Sequence, residues 1–403
     1  MKKSSKILYY LVFFTTLSIV VFSLFAIIFP SFLMTTFYPY TTNLQPFESS
    51  VWLVPIISSN SILLVIGFAY YRKKLPLQIY KGIEFILNFE ISKKTALLTG
   101  IIILVVYIGF SLPELAIDEA TQYDDWGLLE SALEVWPSTD SDDIYINEQN
   151  TRYVRMLLLD ASSDLFQNIK LLPFVASILL VVVTFFLTYQ ITQKRFAGII
   201  SMVILLQSHT FLHFDTIAVY ENFWVLFYVV SLYAINKKWQ YSSISYLLSI
   251  FSKAFIAVFF LSSLYYICRA SISTRKKLYT LASYATSLIV ILLVFSFGES
   301  IYFDIINISS SEFFLAFNAL GYTLRYDLII VLSLLPLTLG LFFKFRKDNS
   351  KKVDSILVLI LTALLAGPVI SMLTDFYFIL PYRFLPLIVF VAVGIGVLLS
   401  KKN

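Results

Sequence analysis

Residues 215–239 read DTIAVYENFWVLFYVVSLYAINKKW. Asp215 and Glu221 open the stretch, an aromatic apolar run over 218–235 fills it, and Lys237 with Lys238 closes it. Acids at one end and cations at the other are what a helix crossing a bilayer carries, because Lys and Arg are retained on the cytoplasmic side. Outward from this stretch the same alternation recurs along the chain. Basic clusters lie at 2–6, 72–94, 194–195, 237–238, 269–277, 344–352 and 401–402. Each is separated from the next by enough apolar chain to leave a membrane and return, since one crossing takes about 20 residues.

The composition agrees. Of 403 residues 59% are hydrophobic and 14% charged, with a mean hydropathy of +0.82, against about 25% charged in soluble domains. An all-α polytopic membrane protein is expected. Spans are read at 7–29, 51–71, 96–112, 171–191, 197–212, 218–235, 279–297, 327–343, 356–373 and 383–399. A hairpin over 241–268 adds two arms and brings the count to twelve, which puts both termini in the cytoplasm. The first run is longer than a signal-peptide core and lacks a small-residue cleavage site, so it reads as an uncleaved anchor in the cell membrane. The net charge of +5 is then a topology signal and implies no nucleic acid, and the single Cys268 excludes a disulfide framework.

Thirteen carboxylates fall between Glu114 and Asp164, against only Arg152 and Arg155. Residues 114–169 therefore read as one large external loop. Within it, from Glu119 to Trp136, Trp126, Leu129, Leu133 and Trp136 recur at helical spacing up to Pro137, and a second piece, Tyr153 to Phe166, carries Met156, Leu157, Leu158 and Leu159. Both predict helices lying along the membrane surface, joined by a solvated turn over 137–143. The stretch 241–268 has cations at both ends, so it predicts a re-entrant hairpin with Lys253 at its tip. One long tilted helix is the alternative.

Six cations escape the clusters: Arg152, Arg155, Lys170, Lys253, Arg325 and Arg383. Charge on the translocated side or inside a bilayer is costly, which makes these positions candidates for function. Asp118 and Glu119 emerge just after the third span, where partial desolvation raises basicity and suits a general base; a solvated acidic loop is the plainer reading. The turn 209–221 reads HTFLHFDTIAVYE. Its His209 and His213, at i and i+4, are candidate ligands for a divalent metal, or simply a polar helix end, while Asp215 and Glu221 are candidate substrate-cavity groups. Lys253 has no carboxylate nearby in sequence, so the anion expected beside it is a lipid-linked phosphate, and Arg383 in ILPYRFLPL is placed to meet the same group; a lysine snorkelling towards a headgroup and an interfacial Arg anchoring a helix end are the plainer readings. Arg325 and Asp327 are expected to pair, and Asn307 begins a glycosylation sequon.

Together AIDEATQYDDW (116–126), the acidic loop, the run from Asp215 to Trp239, YLLSIFSKAF (246–255) and YRFLPL (382–387) resemble the GT-C superfamily of membrane glycosyltransferases. The resemblance covers roughly 96–399 and is similar to the protein mannosyltransferase and aminoarabinose transferase group. It implies a polyprenyl-phosphate-linked sugar as donor, transferred on the external face to a hydroxyl of an acceptor glycan, lipid or protein. Asp118 would be the catalytic base, Glu119 and Asp215 would orient acceptor or donor, and Lys253 and Arg383 would hold the departing lipid phosphate. Residues 1–95 would be two extra helices with a basic cytoplasmic loop, and 96–403 the GT-C-like module. Three features depart from the family: the extra spans, the absence of a soluble carboxy-terminal domain or WWDYG-type motif, and Ala116-Ile117 where a His precedes the acidic pair in some members. A transporter or flippase for a lipid-linked substrate, or a non-catalytic subunit of a membrane complex, are the alternatives.

Overall fold

The computed structural model describes residues 3–37, 45–138, 143–297, 308–348, 351–374 and 380–401. Asn307 lies outside these. Among the described residues there are helices and no strands. In chain order they are α1 (Lys3–Ile28), α2 (Pro30–Phe37), α3 (Leu53–Tyr71), α4 (Leu77–Asn88), α5 (Lys93–Ser111), α6 (Trp126–Val135) and α7 (Ile144–Asn150). There follow α8 (Tyr153–Phe166), α9 (Leu171–Thr192), α10 (Arg195–Leu206), α11 (His209–His213), α12 (Phe223–Lys237) and α13 (Gln240–Ser252). The rest are α14 (Phe260–Arg269), α15 (Thr274–Phe297), α16 (Ser310–Leu324), α17 (Leu328–Asp348), α18 (Lys351–Thr374) and α19 (Leu385–Leu398).

Eight stretches among the described residues are helical, long and apolar enough to cross a membrane: 7–28, 53–71, 93–116, 171–192, 274–293, 328–346, 352–374 and 381–398. The protein is a polytopic helical membrane protein. The remaining four expected spans correspond to α10, α12, α13 and α14, of 12, 15, 13 and 10 residues. At about 1.5 Å per residue these reach about 15–23 Å, short of a hydrocarbon core of about 30 Å. The acidic stretch 114–169 carries α6 and α8 where helices were expected, with α7 between them; of the turn expected over 137–143, residues 139–142 lie outside the described residues.

The chain divides into two compact units: residues 1–93, 188–210 and 304–403 form one, and 94–187 with 211–303 the other. In the first, α19 lies at the centre, with 78% of its 18-residue span buried among α10, α17 and α18. Gly396 makes that approach possible: a Cβ there would lie 2.7 Å from the Ala197 carbonyl oxygen and 2.8 Å from Thr188 Cγ2. Close packing through small residues is what joins helices where lipid removes the hydrophobic drive. Gly396→Ala is expected to destabilise by about 1–3 kcal/mol through overpacking. Thermal unfolding in detergent checks this, and an unchanged midpoint would show that α19 shifts freely against α10.

The basic clusters of this unit meet at one end. Lys401 Nζ pairs with Glu84 Oε2 at 2.7 Å, Arg195 Nη1 with Glu90 Oε1 at 3.2 Å, and Lys194 Nζ donates to the Leu87 carbonyl at 3.1 Å. Lys352 Nζ donates to the Gln190 carbonyl at 3.0 Å, and Lys344 to the Ser400 carbonyl. Helix α16 was not legible as a helix in the hydropathy pattern. It starts with Ser309, whose hydroxyl accepts from the Glu312 amide, and it packs on α1 and α18. The expected Arg325–Asp327 pair does not form: Asp327 instead accepts from Ser208 (2.5 Å) and Thr210, while Arg325 lies over the Tyr322 ring at 5.2 Å.

In the second unit α12 and α13 form an antiparallel pair laced by serine. Ser242, Ser245 and Ser249 donate to the carbonyls of Ser231, Phe227 and Trp224 at 2.9, 2.7 and 2.5 Å, a constant register along the pair. Helix α13 stops at Lys253, whose backbone is extended, and the chain folds back. Tyr246 Oη donates to the Ile256 carbonyl at 3.3 Å, and the Tyr246 and Phe260 rings are 6.4 Å apart. A straight continuation would separate residues 246 and 260 by about 20 Å, so the reversal expected at Lys253 is present.

Candidate functional site

The site belongs to the second unit and is built from two turns, one after α5 and one before α12. After α5 the chain turns through 112–116 and presents adjacent acids in opposite directions. Asp118 is exposed, and its Oδ1 accepts from the Ala120 amide at 3.0 Å. Glu119 is buried, 2% exposed, and takes the Ala218 and Val219 amides on its two oxygens at 2.7 and 3.1 Å. One carboxylate therefore ties the two turns together, and its neighbour is left in the open.

Lys170 supports this arrangement. Its ammonium donates to the Glu114 and Ile117 carbonyls at 2.5 and 3.1 Å and lies 3.9 Å from Glu119 Oε1. Burial raises the Glu119 pKa above the ordinary carboxylate value, opposed by the two amides and by Lys170. Burial likewise lowers the Lys170 pKa, opposed by Glu119 and Glu114. These groups border a cleft of about 600 Å³, lined by Asp118, Glu119 and Lys170 on one side and by Trp126, Glu130 and Leu133 of α6 on the other.

The second turn holds two further buried acids. Glu221 Oε2 accepts the Phe223 amide at 2.9 Å at the start of α12, and its Oε1 lies 3.4 Å from Arg155 Nε. Both side chains are 3% exposed. Arg155, arriving from α8, also donates to the Val219 carbonyl at 2.9 Å and to Gln149. Lys253 sits with its ammonium 5.6 Å from the Trp224 ring centroid and in the field of Glu221.

Asp215 is fully buried. Ser111 Oγ donates to its Oδ2 at 2.7 Å, while Oδ1 has no hydrogen-bond partner among the described residues. Burial pushes its pKa up to about 7. Below the ordinary value of 3.8 the group is neutral folded or unfolded. As pH rises from there to about 7, the unfolded chain ionises while the folded one keeps its proton, so stability is lost across that window and the loss is complete above it. Asp215→Asn, which mimics the neutral acid, is expected to match wild type at pH 4 and exceed it by roughly 4 kcal/mol at pH 8. Parallel melting curves at the two pH values would contradict this.

The fold therefore brings Asp118 and Glu119 to one cleft, joins Glu119 to the 218–219 amides, and pairs Glu221 with Arg155. Asp215 and Glu221 lie beneath the surface and do not line the cleft. Arg383 belongs to the other unit, where its guanidinium lies 5.9 Å from the Tyr382 ring centroid. His209 and His213 are exposed on α11, stacked on Tyr326 at 5.9 Å and against Phe214 at 4.7 Å. Among the described residues no group of three or more His, Cys, Asp or Glu is placed to hold a metal ion. The reading of site residues from sequence missed Arg155 and Lys170, although both stood out as lone cations, Arg155 inside the acidic loop and Lys170 at its end.

Fold and site define a polytopic helical membrane protein with a polar cleft beside buried acid–base pairs. No family model, curated protein or solved structure matches the chain.

Proposed function

We propose that the protein is a membrane glycosyltransferase of GT-C type, transferring a sugar from a polyprenyl-phosphate donor to an acceptor hydroxyl. The observation that supports this best is the split fate of the acidic pair. Glu119 is consumed in holding the two turns together, and that holds Asp118 at the cleft with one carboxylate oxygen committed to a backbone amide and the other without a hydrogen bond among the described residues. An acceptor hydroxyl entering the cleft gives its proton to Asp118, its oxygen bonds to the anomeric carbon, and the carbon–oxygen bond to the phosphate breaks with its electron pair on the phosphate oxygen. Cations stabilise that leaving group. Lys253, in the same unit as Asp118, is assigned this role, with Arg155 holding Glu221 so that the Lys253 charge is only partly offset.

In this reading the basic clusters face the cytoplasm with both termini, α12–α14 and α10 complete a twelve-segment membrane module, and the cleft opens externally. The test is direct. Purified protein in vesicles receives a labelled polyprenyl-phosphate sugar and an extract of membrane acceptors, and a new glycosidic bond is expected. Asp215 supports a second reading, a proton-coupled carrier, since a buried acid with a pKa near neutrality is able to load and release a proton. Solute movement that follows a pH gradient, is lost in Asp215→Asn and yields no glycoside would favour the carrier.

A further inference from the structure

Away from the acidic turns, the second unit has a strongly basic end where α12 passes into α13 and α14 into α15. The Ser271 amide donates to Asn236 Oδ1 at 3.1 Å, and the Trp239 and Tyr279 rings stack at 5.9 Å, so the two connections form one surface. There Lys237, Lys238 and Lys276 line a cleft of about 520 Å³ together with Trp239, Tyr241 and Ile244.

Among the described residues no carboxylate lines this cleft. Residues 222–298 contain Lys237, Lys238, Lys253, Arg269, Arg275, Lys276 and Lys277 and not one Asp or Glu. Four of these cations are engaged with the protein. Lys253, Arg269 and Arg275 lie over the rings of Trp224, Tyr265 and Tyr279, and Lys277 Nζ donates to the Cys268 carbonyl at 2.6 Å. The other three are those that face the cleft, where only Lys238 has a ring contact, 5.9 Å from the Tyr241 centroid. The first turn of α13 adds the positive end of a helix dipole.

Three ammonium groups, a helix N-terminus and no carboxylate call for an anion of more than one charge-bearing oxygen, which is the chemistry of a phosphate. The walls identify its carrier. Tyr241 and Ile244 are 59% and 53% exposed and continue up the apolar outer face of α13, and Leu278 stands 64% exposed on α15. A soluble phosphate makes no use of such a surface, whereas acyl chains cover it. We propose that this cleft binds the phosphate headgroup of an anionic membrane lipid, a role independent of the transfer reaction.

The full chain is reconstituted in phosphatidylcholine vesicles containing a minor fraction of phosphatidylglycerol, and the phosphatidylglycerol retained per protein is counted by native mass spectrometry. Retention is expected to fall roughly tenfold for each of Lys237→Gln, Lys238→Gln and Lys276→Gln, a charged hydrogen bond being worth about that much. A control with Arg269→Gln, Arg275→Gln and Lys277→Gln removes the same charge from the same end and is expected to keep the lipid. Equal losses in the two sets would reduce the site to diffuse surface attraction, and no loss in either would remove it. Displacement of the lipid by millimolar inorganic phosphate would assign the cleft to a soluble anion and overturn the lipid proposal. All six substituted side chains lie at the surface end of the helices, and Lys276→Gln alone, an exposed change on α15, carries the test if a triple variant folds poorly.

Discussion

Asp118→Asn is expected to lower sugar transfer by about 10²–10⁴-fold while leaving the melting temperature unchanged. Asn keeps an oxygen in the position of Oδ1, so the bond from the Ala120 amide survives and the turn over 119–121 stays capped. What is lost is proton affinity, and in the proposed reaction that is the side chain's whole contribution. The neighbouring substitution provides the contrast. Glu119→Gln places an amide nitrogen against the Ala218 or Val219 amide, two donors facing each other in a buried site, and is expected to cost about 1–3 kcal/mol of stability. Turnover and melting measured on both variants separate the roles. Wild-type transfer rates in Asp118→Asn would remove the base, and with it the proposed mechanism.

Arg155→Ala is expected to destabilise the protein by about 3–5 kcal/mol, the usual result of leaving a buried charge without its partner. Glu221 would keep the Phe223 amide and the more distant Lys253, but lose the guanidinium 3.4 Å away in a pair that is 3% exposed on both sides. The Val219 carbonyl would lose its donor as well. Arg155→Lys restores charge but not the fork that reaches Glu221 and Val219 together, so it is expected to recover only part of the loss. Adding Glu221→Gln to Arg155→Ala removes the orphaned charge and should recover most of it. Chemical unfolding of the two single variants and the double variant checks this as a cycle. Additive losses would mean that the two side chains act independently despite their contact.

The helical membrane class was legible because each apolar run must itself meet the cost of leaving water, a cost that depends on local composition. The helix over 153–166 was legible for a related reason, since Met156, Leu157, Leu158 and Leu159 give it apolar surface to bury, and Met156 and Leu159 are buried. Helix α16 was not, because its signal lies in the Ser309–Glu312 cap and in residues such as Gly321 that pack on α1, and hydropathy registers neither. The Arg325–Asp327 pairing failed for the opposite reason. Proximity in sequence suggested it, yet the fold brings two hydroxyls from 208–210 to Asp327 instead.

Sequence by itself determined the helical membrane class of this chain and which cations stand apart from its basic clusters. Only the tertiary structure decided that Glu119 is a tether and Asp118 the open acid, and that Arg155 answers Glu221. The physical reason is that sorting of charge across a bilayer is set residue by residue along the chain. The state of a buried carboxylate is set by donors that packing delivers from about 50–100 residues away, as the Ala218 and Val219 amides are delivered to Glu119.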